Sequence, residues 1–315
     1  MLLALAAAWG TDLSARQFSS GVNPRQFSSE LSAGQFSSGV NPRQFSSERS
    51  AGQFSSGVNL VEVYASVTNE RGEAVTGLAQ GDFELRENGE VQAVSNFAAG
   101  KFPLSVAVGL DRSFSMSGTR LPLAKSAARA FLEELRPQDE SMVLAIGSEV
   151  EVVAPLSADR ARQFQALARL DPFGTTGLHD AIIRAIDEVQ VAKGRRALVL
   201  LSDGDDRYSR SSAAGALDRA RRADVMVFPV ALGSTRPPLF AELATLTGGR
   251  SFHARDPAKL GETLRAIARE LREQYLLGYT PSRPLVAGGN EWRSIAVTVK
   301  RPGVQVRARD GYLVK

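Results

Sequence analysis

Between residues 103 and 274, short continuous apolar runs alternate with stretches of helical periodicity, and this alternation constrains the fold more than any other feature of the chain. LSVAVGL, SMVLAIGS, RALVLLSDG and VMVFPVALG have the length and composition of strands, and three of them are apolar enough to be buried on both faces. Between them, Ala124, Ala127, Ala128, Phe131, Leu132 and Leu135 recur at helical spacing. GLHDAIIRAIDEVQ and ADRARQFQALARL also read as helices, as does PLFAELATLTGG, closed by Gly248-Gly249. Leu260, Leu264, Ile267 and Leu271 form one stripe of a last helix. Strand and helix in alternation predict an α/β domain, a doubly wound, mostly parallel sheet with helices on both faces. Ligands of such sheets sit at the carboxyl ends of the strands, at a topological switch point.

The flanks are of another kind. In LVEVYASV, Val61, Val63, Ala65 and Val67 share one face, with Glu62, Tyr64 and Ser66 on the other. DFELRENGEVQAVSNF reads as a hairpin around Asn88-Gly89. At the other end, Ile295, Val297 and Val299 alternate in WRSIAVTV, and Pro302-Gly303 turns the chain into VQVRA. Two or three strands cannot bury a core alone. The two flanks are therefore expected to form one small antiparallel β-sandwich into which the α/β domain is inserted. Its segments are residues 57–102 and 275–315, and the α/β domain spans 103–274.

The start of the chain carries neither pattern. MLLALAAAWG resembles the apolar part of a secretory signal without a basic leader, so residues 1–10 are read as a truncated signal and the protein as exported from a bacterium. Residues 14–31 are duplicated almost unchanged at 32–49, and a third copy begins at 50. Phe18, Phe27, Phe36, Phe45 and Phe54 recur every nine residues, a spacing that alternates faces in either a helix or a strand. With Ser, Gln, Asn and Gly between them, residues 11–56 are expected to be a disordered linker. Beyond the start, no stretch is apolar for the 18 residues that a membrane-spanning helix needs.

Composition removes several chemistries. The chain has no cysteine, which excludes disulfides, thiolate metal sites and cysteine nucleophiles, and its two histidines, His179 and His253, cannot build a histidine-rich metal site. A net charge of +4 with interspersed signs gives no basic patch for nucleic acid. Phosphate-binding glycine loops and the G-x-S-x-G elbow are missing.

What remains is oxygen. The first strand ends in Asp111-Arg112-Ser113-Phe114-Ser115, the loop before the third helix reads Gly174-Thr175-Thr176-Gly177, and the LVLLS strand ends in Asp203-Gly204-Asp205-Asp206. Each alone could be a turn or a helix cap. In this order and on these elements, the three segments resemble the metal-ion-dependent adhesion site of the von Willebrand factor A family. The resemblance covers about residues 103–274. It implies that Ser113, Ser115 and Thr175 give hydroxyl oxygens to a divalent ion and that Asp111 and Asp203 act mostly through bound water. The flanks, including GDFELRENG and LREQYLLGYTP, are similar to bacterial VWFA-related domain proteins.

Hard oxygen donors select Mg²⁺, with Mn²⁺ or Ca²⁺ as alternatives. Neutral hydroxyls leave such an ion underneutralised on its exposed side, so it attracts an Asp or Glu carboxylate from a protein partner. Phe114, Arg112, Thr176 and Asp205 are the candidate contact residues. Phe114 departs from the small residue common at the middle of the first motif. The expected function is non-catalytic, metal-dependent protein binding. Two readings compete with it: an ion that only braces the loops of a structural envelope protein, and a phosphatase-like hydrolase. The latter lacks its second acid, because that position is Ser113.

Overall fold

A computed structural model describes residues 60–100, 102–233, 235–284 and 290–314. The expected leader and the duplicated linker lie outside these residues. The chain enters with β1 (Val61–Asn69), β2 (Phe83–Glu87), β3 (Glu90–Gln92) and β4 (Val94–Ala99). The α/β part follows as β5 (Leu104–Asp111), α1 (Arg120–Glu133), β6 (Glu140–Ile146), β7 (Val150–Ser157) and α2 (Arg160–Ala168). It continues with α3 (Leu178–Gln190), β8 (Arg195–Ser202), α4 (Ala213–Arg222), β9 (Met226–Ala231) and α5 (Pro238–Thr247). It closes with β10 (Phe252–His253) and α6 (Leu260–Arg272). The last strands are β11 (Tyr275–Tyr279), β12 (Trp292–Val299), β13 (Val304–Arg307) and β14 (Gly311–Leu313).

The central sheet has the order β10-β9-β8-β5-β6-β7. All its pairings are parallel except that of the edge strand β7 with β6. Every residue of β5 is buried, because parallel neighbours flank it on both edges and helices cover both faces. Val106, Val108 and Leu110 pack with α1, α2 and α6 on one face. Ala107 joins Leu144, Leu198 and the apolar stripes of α3, α4 and α5 on the other. The chain leaves β5 toward β6 on one side and later toward β8 on the other, so the switch point lies where β5 ends. The carboxyl terminus of that strand is Asp111.

Both flanks interleave in two four-stranded sheets, β13-β1-β11-β4 and β14-β12-β2-β3. β1 pairs antiparallel with β11 and with β13, and β12 pairs with β2, so each sheet joins strands from opposite ends of the chain. The α/β domain is thereby inserted into an antiparallel module built from both ends. Val61, Val63, Ala65 and Val67 share a core with Phe83, Leu85, Leu277 and Ile295, against which Val297 and Val299 also pack. The opposite face of β1 is buried as well: Tyr64 and Leu276 belong to the core under α1 and α6. Ser66, also on that face, accepts a 2.8 Å bond from Gln274 Nε2, and Arg195 donates to Gln274 Oε1 at 3.1 Å. The hairpin turn needs two left-handed residues, and Asn88 (φ 49°) and Gly89 (φ 85°) supply them.

A buried polar knot joins the module's two sheets. Glu87 on β2 accepts bonds from Arg293 on β12 (3.0 Å), Tyr279 on β11 (2.6 Å) and Tyr312 on β14 (2.7 Å). Arg293 also donates to the carbonyls of Arg283 and Pro284 at 2.7 and 2.8 Å. Burial and the Glu87 carboxylate push the Tyr312 hydroxyl up to about 12, so it stays protonated and can donate. Removing one partner of a buried ion pair costs about 3–5 kcal/mol, because the other charge is left uncompensated. Arg293→Met is therefore expected to lower unfolding stability by that amount in urea titrations. A loss under about 1 kcal/mol would show that the knot does not hold the module together.

Candidate metal centre

The site grows from Asp111. Its side chain is fully buried at the end of β5. Oδ1 accepts the Ser113 amide at 2.9 Å, a tight turn that sends the chain away from the sheet. Oδ2 accepts the Ser202 hydroxyl at 2.7 Å, and the Thr176 hydroxyl lies 3.5 Å from it. Burial pushes the Asp111 carboxyl up, the Ser113 and Ser202 bonds oppose that push, and the nearby Asp203 charge adds to it. A buried carboxylate with a second carboxylate close by is an electrostatic setting that favours a cation.

The hydroxyls of Ser113 and Ser115 are 3.0 Å apart, the first buried and the second exposed. Asp203 follows the last residue of β8, and its Oδ1 accepts the Asp205 amide at 3.3 Å. A cationic side chain already lies at this edge. Arg120, at the start of α1, donates to the Ser115 carbonyl at 3.1 Å and comes within 3.8 Å of Asp203 Oδ2.

Backbone bonds lash the three loops to each other. The Phe173 amide donates to Arg112 O at 2.7 Å, and the Phe114 amide to Gly174 O at 3.0 Å. Thr176 O accepts from both Arg207 N and Tyr208 N, at 2.9 and 3.1 Å. Asp206 caps α3, taking the amides of Leu178 (2.7 Å) and His179 (3.3 Å). Gly174 is required: at φ 75°, a Cβ there would stand 2.7 Å from Ser148 Oγ. Each histidine has one ring nitrogen beside a backbone carbonyl. His179 Nδ1 lies 3.1 Å from Ser211 O, and His253 Nε2 lies 2.8 Å from Gly233 O.

Asp111, Ser113, Ser115 and Asp203 lie together at the strand ends, and Thr175 does not join them. Thr175 is exposed, and its hydroxyl pairs with Ser148 Oγ at 3.2 Å. The buried Thr176 turns its hydroxyl to Asp111, although it had been expected among the contact residues. The two neighbours in this non-helical segment differ in burial, Thr175 exposed and Thr176 buried. Of the other contact candidates, Phe114 is exposed. Asp205 is exposed and paired with Arg207 at 3.1 Å. Arg112 reaches back to Glu151 at 3.1 Å.

Sequence reasoning missed Ser202 and Arg120 and gave Asp206 no role of its own. Among the described residues, no group of three or more His, Asp or Glu could hold a metal. The donors that fit an ion are hydroxyls, with Asp111 and Asp203 as the only acids of the motif set to carry charge.

A doubly wound sheet with an oxygen-lined switch point and three interlocked loops defines the class of domain. Residues 106–205, which hold the first two motifs and Asp203 of the third, match the family model of the von Willebrand factor type A domain, and the chain carries a domain of that family. It is 25% identical over 134 residues to human inter-alpha-trypsin inhibitor heavy chain H4, a match covering 38% of this chain and 14% of that protein. It is 30% identical over 112 residues to the uncharacterized protein sll0103 of Synechocystis, covering 34% of this chain and 27% of the relative. The matches thus span well under a third of either relative. In structure it resembles the von Willebrand factor type A protein from Catenulispora acidiphila, with a TM-score of 0.52 at 18% identity over 74% of this chain and 72% of that one. This likeness extends beyond the 106–205 match and shows the fold.

The Ser202 hydroxyl donates to Asp111 and accepts the Gly204 amide at 3.0 Å, so it couples the ends of β5 and β8. Ser202→Ala leaves a buried carboxylate oxygen short of a donor and is expected to lower stability by about 1–3 kcal/mol in urea unfolding. An unchanged midpoint would mean that Asp111 does not depend on this bond.

Proposed function

We propose that the domain is a non-catalytic, divalent-metal-dependent protein-binding module, used in adhesion or assembly by an exported protein. Mg²⁺ fits the oxygen donors best, with Mn²⁺ or Ca²⁺ as substitutes. Ser113, Ser115 and Thr176 would give the hydroxyl oxygens, Thr176 replacing Thr175 in this role. Asp111 and Asp203 would hold the ion's charge from behind. A partner's Asp or Glu carboxylate would complete the coordination at the exposed side, next to Ser115. Among the described residues, no helix is long and apolar enough to cross a membrane.

The observation that carries this reading is the Asp111 carboxylate, buried beside the paired Ser113 and Ser115 hydroxyls, of which one reaches solvent. It supports a preformed oxygen set open on one side. The brace-only reading is weaker because backbone hydrogen bonds already hold the three loops together without an ion. The hydrolase reading is weaker because the position of its second acid is Ser113.

An ion that binds only the folded state stabilises it by about 2.7 kcal/mol at a hundredfold excess over its dissociation constant. For a unit of this size that corresponds to roughly 5–10 °C in melting temperature. Mg²⁺ is expected to raise the melting temperature by that order in the wild type and in Thr175→Val, and not in Asp111→Ala or Thr176→Val. Identical melting curves with Mg²⁺ and with chelator would overturn the proposal. Loss of the shift in Thr175→Val with retention in Thr176→Val would return the ligand role to Thr175.

A further inference from the structure

Each of the three loops at the strand ends carries one exposed aromatic ring. Phe114 is 63% exposed, Phe173 61% and Tyr208 61%. Among the described residues only three other large apolar side chains are exposed, and those, Leu60, Val91 and Val191, belong to other parts of the fold. Phe114 lies between Ser113 and Ser115. Phe173 lies three residues before Thr176. Tyr208 follows the strand that leads into Asp203. Chance scatter of apolar residues would not place one ring on each of the three loops that meet at Asp111.

The backbone that carries the rings is bonded across the loops. Phe114 and Phe173 donate their amides across the first two loops, to Gly174 O and Arg112 O, and Tyr208 donates its amide to Thr176 O. The Arg112 guanidinium stands 5.4 Å from the centre of the Phe173 ring and is itself held by Glu151 at 3.1 Å. Rings on a rigid base lose little freedom on binding, which is what makes aromatic side chains effective anchors at the centre of an interface.

We infer that Phe114, Phe173 and Tyr208 form an aromatic rim that selects, as partner, a polypeptide segment in which an Asp or Glu is flanked within two residues by aromatic, aliphatic or proline side chains. The inference rests on the metal-dependent binding proposed above and adds to it the chemistry around the carboxylate. A carboxylate that reaches the Ser113–Ser115 pair brings its chain neighbours close to Phe114, which lies between those two serines, and to the Phe173 loop bonded to the same backbone; the Tyr208 loop is bonded in turn to Thr176. Apolar neighbours there remove ring surface from water, and polar or glycine neighbours leave it exposed. Acid strength alone would not distinguish partners, so the rim supplies the specificity that the ion lacks.

A random peptide library displayed on phage, selected against the full chain in Mg²⁺ and in chelator, tests this. The expected result is a Mg²⁺-dependent set in which an Asp or Glu has an aromatic, aliphatic or proline residue within two positions. A selected peptide should bind the Phe114→Ser/Phe173→Ser/Tyr208→Ser variant about a hundredfold more weakly, as three anchors costing fivefold each would give. The Mg²⁺ shift in melting temperature should be unchanged in that variant, which separates loss of the rim from loss of the ion. Mg²⁺-dependent peptides with an acid but no apolar enrichment, or wild-type affinity in the triple variant, would overturn the rim and leave the metal reading standing. Peptides whose binding ignores both Mg²⁺ and Asp111→Ala would overturn the two together.

Discussion

A carboxylate with no solvent contact ends the central strand of the sheet, and the whole upper edge of the molecule is arranged around it. Asp111 cannot stand there unassisted, since an ionised carboxylate removed from water must be paired or hydrogen-bonded. The amide of Ser113 and the hydroxyl of Ser202 meet that demand, with Thr176 close by. They come from the turn after β5, the end of β8 and the loop before α3, so satisfying one buried charge ties three segments together. The Ser113 and Ser115 hydroxyls lie side by side, with Asp203 just past the end of β8. An oxygen-lined edge follows from how β5 and its neighbour β8 are terminated.

The sheet that carries Asp111 is steadied from its other end. The strands of the flanking module do more than close on themselves: Tyr64 and Leu276 enter the core beneath α1 and α6, and Gln274 links Ser66 to Arg195 at the start of β8. A module woven from both chain ends has no free sheet of its own to shed, because each of its sheets draws strands from before and after the inserted domain. The result is an edge of three loops, two of them rooted in the buried strands β5 and β8 and the third leading from α2 into α3.

Much of this was legible because period and parity are local. The run ending at Asp111 declared a buried strand, and the alternation in β1 and β12 declared a shared core before their pairing was known. The failures have physical causes. Thr175 and Thr176 lie in a segment with no period, so nothing local says which hydroxyl turns inward; the one that does meets Asp111, 65 residues away. Ser202 looked like the tail of an apolar strand, and its partner is 91 residues away. Glu87 and Arg293 had the parity of inward residues, Glu87 with Phe83 and Leu85, Arg293 with Ile295 and Val297. A charge alone argues for exposure, and a partner 206 residues distant cannot be seen from either strand.

The central claim is that these oxygens form one cation site. Titrating the full chain with Mn²⁺ and reading free Mn²⁺ by electron paramagnetic resonance tests it without reference to stability or partner. One bound ion per chain is expected, displaced by Mg²⁺ and absent in Asp111→Ala. Free Mn²⁺ that rises in step with the added metal in the wild type, as in buffer alone, would contradict it.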